Sequence, residues 1–85
     1  MLAAQKEWRG AEAAFRRSLA VLEEIGSRLE LGRTRYAYAQ LLRAKGDSDK
    51  AEREAKAALA IFKETGARPD EAKVRDALAR WKGSS

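Results

Sequence analysis

Arg33, Tyr36, Gln40 and Arg43 recur at steps of three and four, which places them along one stripe of a helix. Two guanidinium groups bracketing a phenol and an amide can grip a carboxylate bidentately and pack the side chain beside it. The competing reading is a solvated helix face, because charged faces are the rule in soluble bundles. For Tyr36 the competing reading is an aromatic at the edge of the core. Bond-making chemistry has less to draw on. Histidine and cysteine are both absent, so the usual general base near neutral pH and the thiol nucleophile are missing, as are disulfides and zinc knuckles. The acidic pairs Glu23-Glu24 and Glu52/Glu54 are adjacent or two apart, on different parts of a helix surface, and read as solvated charge. No glycine-rich phosphate loop and no metal-ligand spacing occurs. Neither an enzyme nor a cofactor is expected.

The elements that must hold this stripe are helices. Alanine supplies much of the 45% hydrophobic content, with one proline and few β-branched residues, a composition suited to closely packed helices. In the first segment Met1, Ala4, Trp8, Ala11, Phe15, Ser18, Leu22 and Ile25 follow steps of three and four, predicting a helix over about 2–25 that ends at Gly26. A turn at Glu7–Gly10 is the alternative. A second helix is expected over about 29–45, with Leu31, Thr34, Tyr38, Leu41 and Leu42 inward and Gly46 closing it. A third is expected over about 49–65, with Asp49 and Glu52 as a capping box and Ala51, Ala55, Ala58, Leu59 and Phe62 inward. A fourth covers about 69–82, with Pro69 at its first position, Asp70 and Glu71 in the first turn, and Val74, Ala77, Leu78 and Trp81 inward. Short connections make sequential helices antiparallel. The expected fold is all-α, one domain over residues 1–85.

The chain also repeats itself forty positions along. Ala11-Glu12 returns as Ala51-Glu52, Leu19-Ala20 as Leu59-Ala60, Gly26 as Gly66, Arg28 as Arg68, and Arg35, Ala37 and Ala39 as Arg75, Ala77 and Ala79. A period of this length with helical periodicity inside it marks a stacked array of helix pairs. Such arrays bind partners rather than transform them.

The run from Ala37 to Asp47, followed by Asp49, Ala51, Ala55, Ala58 and Leu59, resembles the tetratricopeptide repeat. Ala39 holds the small position of that family's helix A, Gly46-Asp47 its close, and Ala51 and Ala58 the small positions of helix B. Trp8, Ala11, Phe15, Ser18 and Leu19 fit helix B again, giving the order B, A, B, A over nearly the whole chain. The period exceeds the usual length of about thirty-four residues, so the resemblance is to the long-period variant. Arg35 stands where an aromatic is common, and Lys63 replaces the closing proline. The resemblance implies an α-solenoid fragment that recognises proteins, with peptides held on the concave face made by helices A. That face transfers to Arg33, Tyr36, Gln40 and Arg43, and forty residues on to Lys73, Asp76 and Arg80.

The formal net charge of +5, from 18 basic and 13 acidic residues, favours acidic partners. Acidic peptides rank above nucleic acid, because carboxylates interleave with cations on every helix and no aromatic platform for bases is evident. No apolar run reaches the length of a membrane span, about 20 residues. Trp8 and Trp81 are expected to be packing residues. An array of this size exposes apolar faces on its end helices, through which it could self-associate. The cytoplasm is expected for a natural chain. A designed or excised repeat with folding or self-association as its only task is the alternative, suggested by Met1 directly inside a helical pattern and the Gly83-Ser84-Ser85 end.

Overall fold

The computed structural model describes the backbone of residues 2–83 and the side chains of residues 9–82. Four helices follow one another: α1 (Leu2–Ile25), α2 (Arg28–Lys45), α3 (Ser48–Thr65) and α4 (Arg68–Gly83). Each packs against its neighbour in sequence, giving a slab of 40 × 34 × 17 Å.

The turns explain the antiparallel hairpins. Gly26, Gly46 and Gly66 have φ of 71°, 103° and 74°, a left-handed geometry that a Cβ would oppose. At the α2–α3 turn the amide of Asp47 donates to the Leu42 carbonyl at 2.9 Å, and that of Gly46 reaches both the Leu42 and Arg43 carbonyls at 3.1 Å. Otherwise orphaned carbonyls at the end of α2 are thereby satisfied within two residues. Lys6, forty positions before Gly46, carries a Cβ, and α1 runs straight through Glu7–Gly10. The inward placement expected of Met1, Ala4 and Trp8 concerns side chains outside those described.

The expected capping box is a correction. Asp47, not Asp49, is the N-cap of α3 and makes no side-chain cap bond; Glu52 pairs instead with Lys56 at 2.9 Å. An i,i+4 cation competes with the orphan amide for the same carboxylate. Pro69 sits one residue inside the first position of α4, where its missing N–H is still among those without an intrahelical acceptor.

Two clusters form the core. Ala39, Ala55, Ala58, Phe62 and Val74 join α2, α3 and α4. Tyr38, Leu42 and Ala51 form the second, covered by Phe15 and Leu19 of α1. The alanines at 39, 51, 55 and 58 are wholly buried, so backbones approach where a larger residue would hold them apart. Gly32, also buried, extends this: a Cβ there would lie 2.8 Å from the Phe62 ring and 3.0 Å from Ile61. On α1 the face turned to α2 is Glu12, Phe15, Leu19 and Leu22, while Ser18 and Ile25, expected inward, are exposed. They lie on the side of α1 that no described helix covers.

The Tyr38 ring stacks on Phe15 at 5.6 Å, but its buried hydroxyl has no hydrogen-bond partner. The exposed Arg16 guanidinium, held more firmly charged mainly by this hydroxyl, approaches it without reaching bonding geometry. An unsatisfied buried hydroxyl costs stability, so Tyr38→Phe should gain about 1 kcal/mol, roughly 4–8 °C in a thermal melt followed by circular dichroism. A lower midpoint would show that Arg16 satisfies the hydroxyl in solution.

Candidate binding face

Helix α2 is the hub, and its two sides do different work. Toward α1 and α3 its charges are consumed in fixed pairs. Arg35, with its side chain 23% exposed, donates from Nη1 to Glu54 of α3 at 3.0 Å and from Nη2 to Glu23 of α1 at 3.1 Å. One guanidinium thus ties both flanking helices together, which a planar five-donor fork can do and an ammonium cannot do as well. Lys45 reaches Glu12 of α1 at 3.1 Å. Arg35, at the place where the resembled repeat commonly has an aromatic, is therefore a clamp between helices.

Toward α4, α2 presents the stripe picked out by spacing. Contacts tie the two helices side by side at both ends. Arg33 Nη2 lies 3.4 Å from Asp70 Oδ2 near their starts. Near their ends the Arg43 guanidinium lies 5.4 Å over the Trp81 ring and donates to the Trp81 carbonyl and the Ser48 hydroxyl, each at 3.5 Å. Between these points Tyr36 is half-buried and packs against the cluster containing Phe62 and Val74, while Gln40 is exposed. On α4, Lys73, Asp76 and Arg80 are all exposed, with Arg80 Nε 3.6 Å from Asp76 Oδ2. The structure thus joins Arg33 and Arg43 to α4 directly and leaves Lys73 and Arg80 along the outer side of the same face.

Leu29 belongs to this stripe and was missed by the sequence analysis. It lies four residues before Arg33 and seven before Tyr36, hence on the same helix face, and is 37% exposed. Stepping the i,i+4 pattern back by one turn would have found it.

A cleft of about 510 Å³ opens at the far end of the stripe, lined by Arg43, Glu52, Lys56, Leu78 and Trp81 among others. The repeat explains it. Where α2 carries Tyr38 at the equivalent place, α4 lines the cleft with the smaller Leu78. Lost aromatic volume leaves room for a guest side chain. Lys56 holds the Glu52 carboxyl below the usual carboxylate range through the hydrogen-bonded ion pair one turn away.

Among the described residues no group of three or more acidic, histidine or cysteine side chains is placed to hold a metal ion. No described helix is long and apolar enough to cross a membrane.

A family model described as tetratricopeptide repeat matches residues 1–64, from α1 to the last turn of α3. No curated protein and no solved structure matches the chain. The match stops short of α4, where Arg75, Ala77 and Ala79 still echo α2.

Proposed function

Because the chain belongs to the tetratricopeptide repeat family, whose members are generally non-catalytic protein-interaction modules, we propose that it is a scaffold holding an acidic segment of a protein partner across the α2–α4 face. The observation that carries this reading is the cationic set on that face, exposed at Arg33, Lys73 and Arg80 and half-buried at Arg43. Arg33, Arg43, Lys73 and Arg80 outnumber Asp70 and Asp76, and Leu29 and Tyr36 supply apolar surface between them. Arg33 and Arg43 lie ten residues apart, about 15 Å along the helix axis. An extended peptide covers that distance in roughly four or five residues, so the best ligand carries two carboxylates at that spacing. An apolar side chain next to the second carboxylate would enter the cleft beside Trp81. Desolvated bidentate pairs at the two arginines fix register, and the remaining cations raise the association rate in a salt-dependent way. The same reading gives a cytoplasmic setting to a natural chain.

The test is a fluorescence-anisotropy titration with a labelled peptide of that pattern. The double variant Arg33→Glu, Arg43→Glu should weaken binding by well over tenfold, since attraction becomes like-charge repulsion at both ends. Arg33→Glu alone, which leaves the Arg43–Trp81 stack intact, should lose about tenfold. Helicity by circular dichroism should hold in both. Unchanged affinity in both variants would remove this face as the binding surface.

A further inference from the structure

Tyr38 lies two residues on from Tyr36, hence on nearly the opposite side of α2 from the peptide face. There its ring meets Phe15 of α1, and the Lys50 ammonium of α3 stands 5.9 Å from the ring centroid. Only 2% of Tyr38 is exposed, and its hydroxyl has no hydrogen-bond partner. The exposed Arg16 guanidinium of α1 approaches the same hydroxyl. A guanidinium can only donate, so whatever Arg16 gives to the oxygen, the phenolic proton is left without an acceptor. Neither cation is neutralised either. Arg16 and Lys50 form no ion pair with a described carboxylate, and Glu12, one turn before Arg16, is held through both oxygens by Lys45 at 3.1 and 3.2 Å. At the equivalent places forty residues on, Lys56 pairs with Glu52 at 2.9 Å and Leu78 replaces Tyr38. Packing of the repeat therefore does not require this cluster.

We propose that Arg16, Tyr38 and Lys50 form a binding site for a tetrahedral oxyanion, a phosphate group, seated between α1 and α3 beside the Tyr38 hydroxyl. The partner this cluster lacks must accept the phenolic proton and satisfy two cations at once, and an anion with several oxygens does both. One oxygen takes the hydroxyl proton, a second the Arg16 fork and a third the Lys50 ammonium. Charge-assisted bonds of this kind are the strong ones. The three donors arrive from three helices and so from different directions, which suits a tetrahedral set of oxygens better than the planar pair of a carboxylate. Arg16 is exposed and long, so it swings outward to admit the ion and closes on it. Bound there, the ion joins α1, α2 and α3, as Arg35 does farther back along α2.

Inorganic phosphate, titrated at fixed ionic strength against the isotope-labelled intact chain and followed by amide shifts in two-dimensional NMR, is the test. Saturable shifts centred on residues 16, 38 and 50 are expected. Arg16→Gln and Lys50→Gln should each weaken binding about tenfold, the order of one charge-assisted hydrogen bond. Tyr38→Phe should weaken it several-fold, and circular dichroism checks that each variant is folded. Thermal melts give a readout that a purely structural hydroxyl would not move. Without phosphate Tyr38→Phe should melt above the parent, and saturating phosphate should close that gap, because only the parent's hydroxyl gains an acceptor. Glycerol 3-phosphate separates a free ion from a phosphate group carried on a larger molecule. Equal or tighter binding points to the carried group and exclusion to the free ion, and either result supports the site. No saturation, acetate binding as tightly as phosphate, or shifts centred on Arg33 and Arg43 instead overturns the proposal. So does saturation unchanged by all three substitutions, or a melting gap indifferent to phosphate.

Discussion

Phe62→Ala should produce a large loss of stability in this protein. Phe62 is 1% exposed and heads the largest fully buried side chains, with Leu42 and Val74. It is the residue of α3 that meets α2 and α4 together, so its loss opens a cavity at the junction of three helices. Truncating a buried phenylalanine costs about 3–5 kcal/mol, combining lost transfer free energy with the cavity left behind. The buried neighbours Ala39, Ala55 and Ala58 have no side chain to swing into the space, so any relaxation must come from the larger residues at the edge of the cluster, such as Tyr36 and Leu59. A chain of this length has a total stability of roughly 4–13 kcal/mol. The expected result is a melting midpoint lower by roughly 15–30 °C, or no cooperative transition at all. A fall of less than about 5 °C would mean that the helices close up around the gap, and would contradict the rigid packing described for α3.

Gly32→Leu is expected to destabilise despite replacing the second-worst helix former with one of the best. Helix propensity alone favours the change by about 0.8 kcal/mol, because glycine loses more backbone freedom in a helix. Opposing it is the absence of room. Even a Cβ would stand 2.8 Å from Phe62 Cε1 and 3.0 Å from Ile61 Cγ2, closer than carbon atoms tolerate. Both neighbours are buried, and Phe62 is fixed by the cluster behind it, so α2 and α3 must separate. Overpacking of this kind costs about 1–3 kcal/mol for modest insertions and more when the neighbour cannot move. The net effect should be a loss of about 2 kcal/mol or more, with Gly32→Ala intermediate as the propensity gain offsets a smaller clash. Urea denaturation of the two variants gives the ordering. If both came out more stable than the parent, the close approach of α2 and α3 would be wrong.

Most of the fold was legible because helical packing writes itself in steps of three and four. Tyr38, Leu42, Ala51, Ala55, Ala58 and Phe62 were expected inward from spacing and are inward. The errors fall where a local pattern serves two outcomes. Ser18 and Ile25 continue the spacing of α1, but spacing gives an angular position and says nothing of whether a neighbour occupies it. Asp49 and Glu52 have the order of a capping box, yet Lys56 one turn on offers Glu52 a charged partner. Of the candidate face, the stripe from Arg33 to Arg43 could be read from spacing and its counterpart on α4 from the repeat. That Asp70 and Trp81 would meet its two ends could not, since both contacts join residues nearly forty apart.

The residue order by itself determined the four helices, their glycine stops, the forty-residue period and the alanine-rich seam, because each follows from local backbone preference or from a regular spacing of apolar side chains. Only the tertiary structure decided which equivalent faces are covered. Val21 and Ile61 have the same chemistry and the same place in the repeat, and differ in whether a helix lies on them. Burial is a property of what comes near a residue, and that is set by the packing of whole helices rather than by the residue's own sequence neighbourhood.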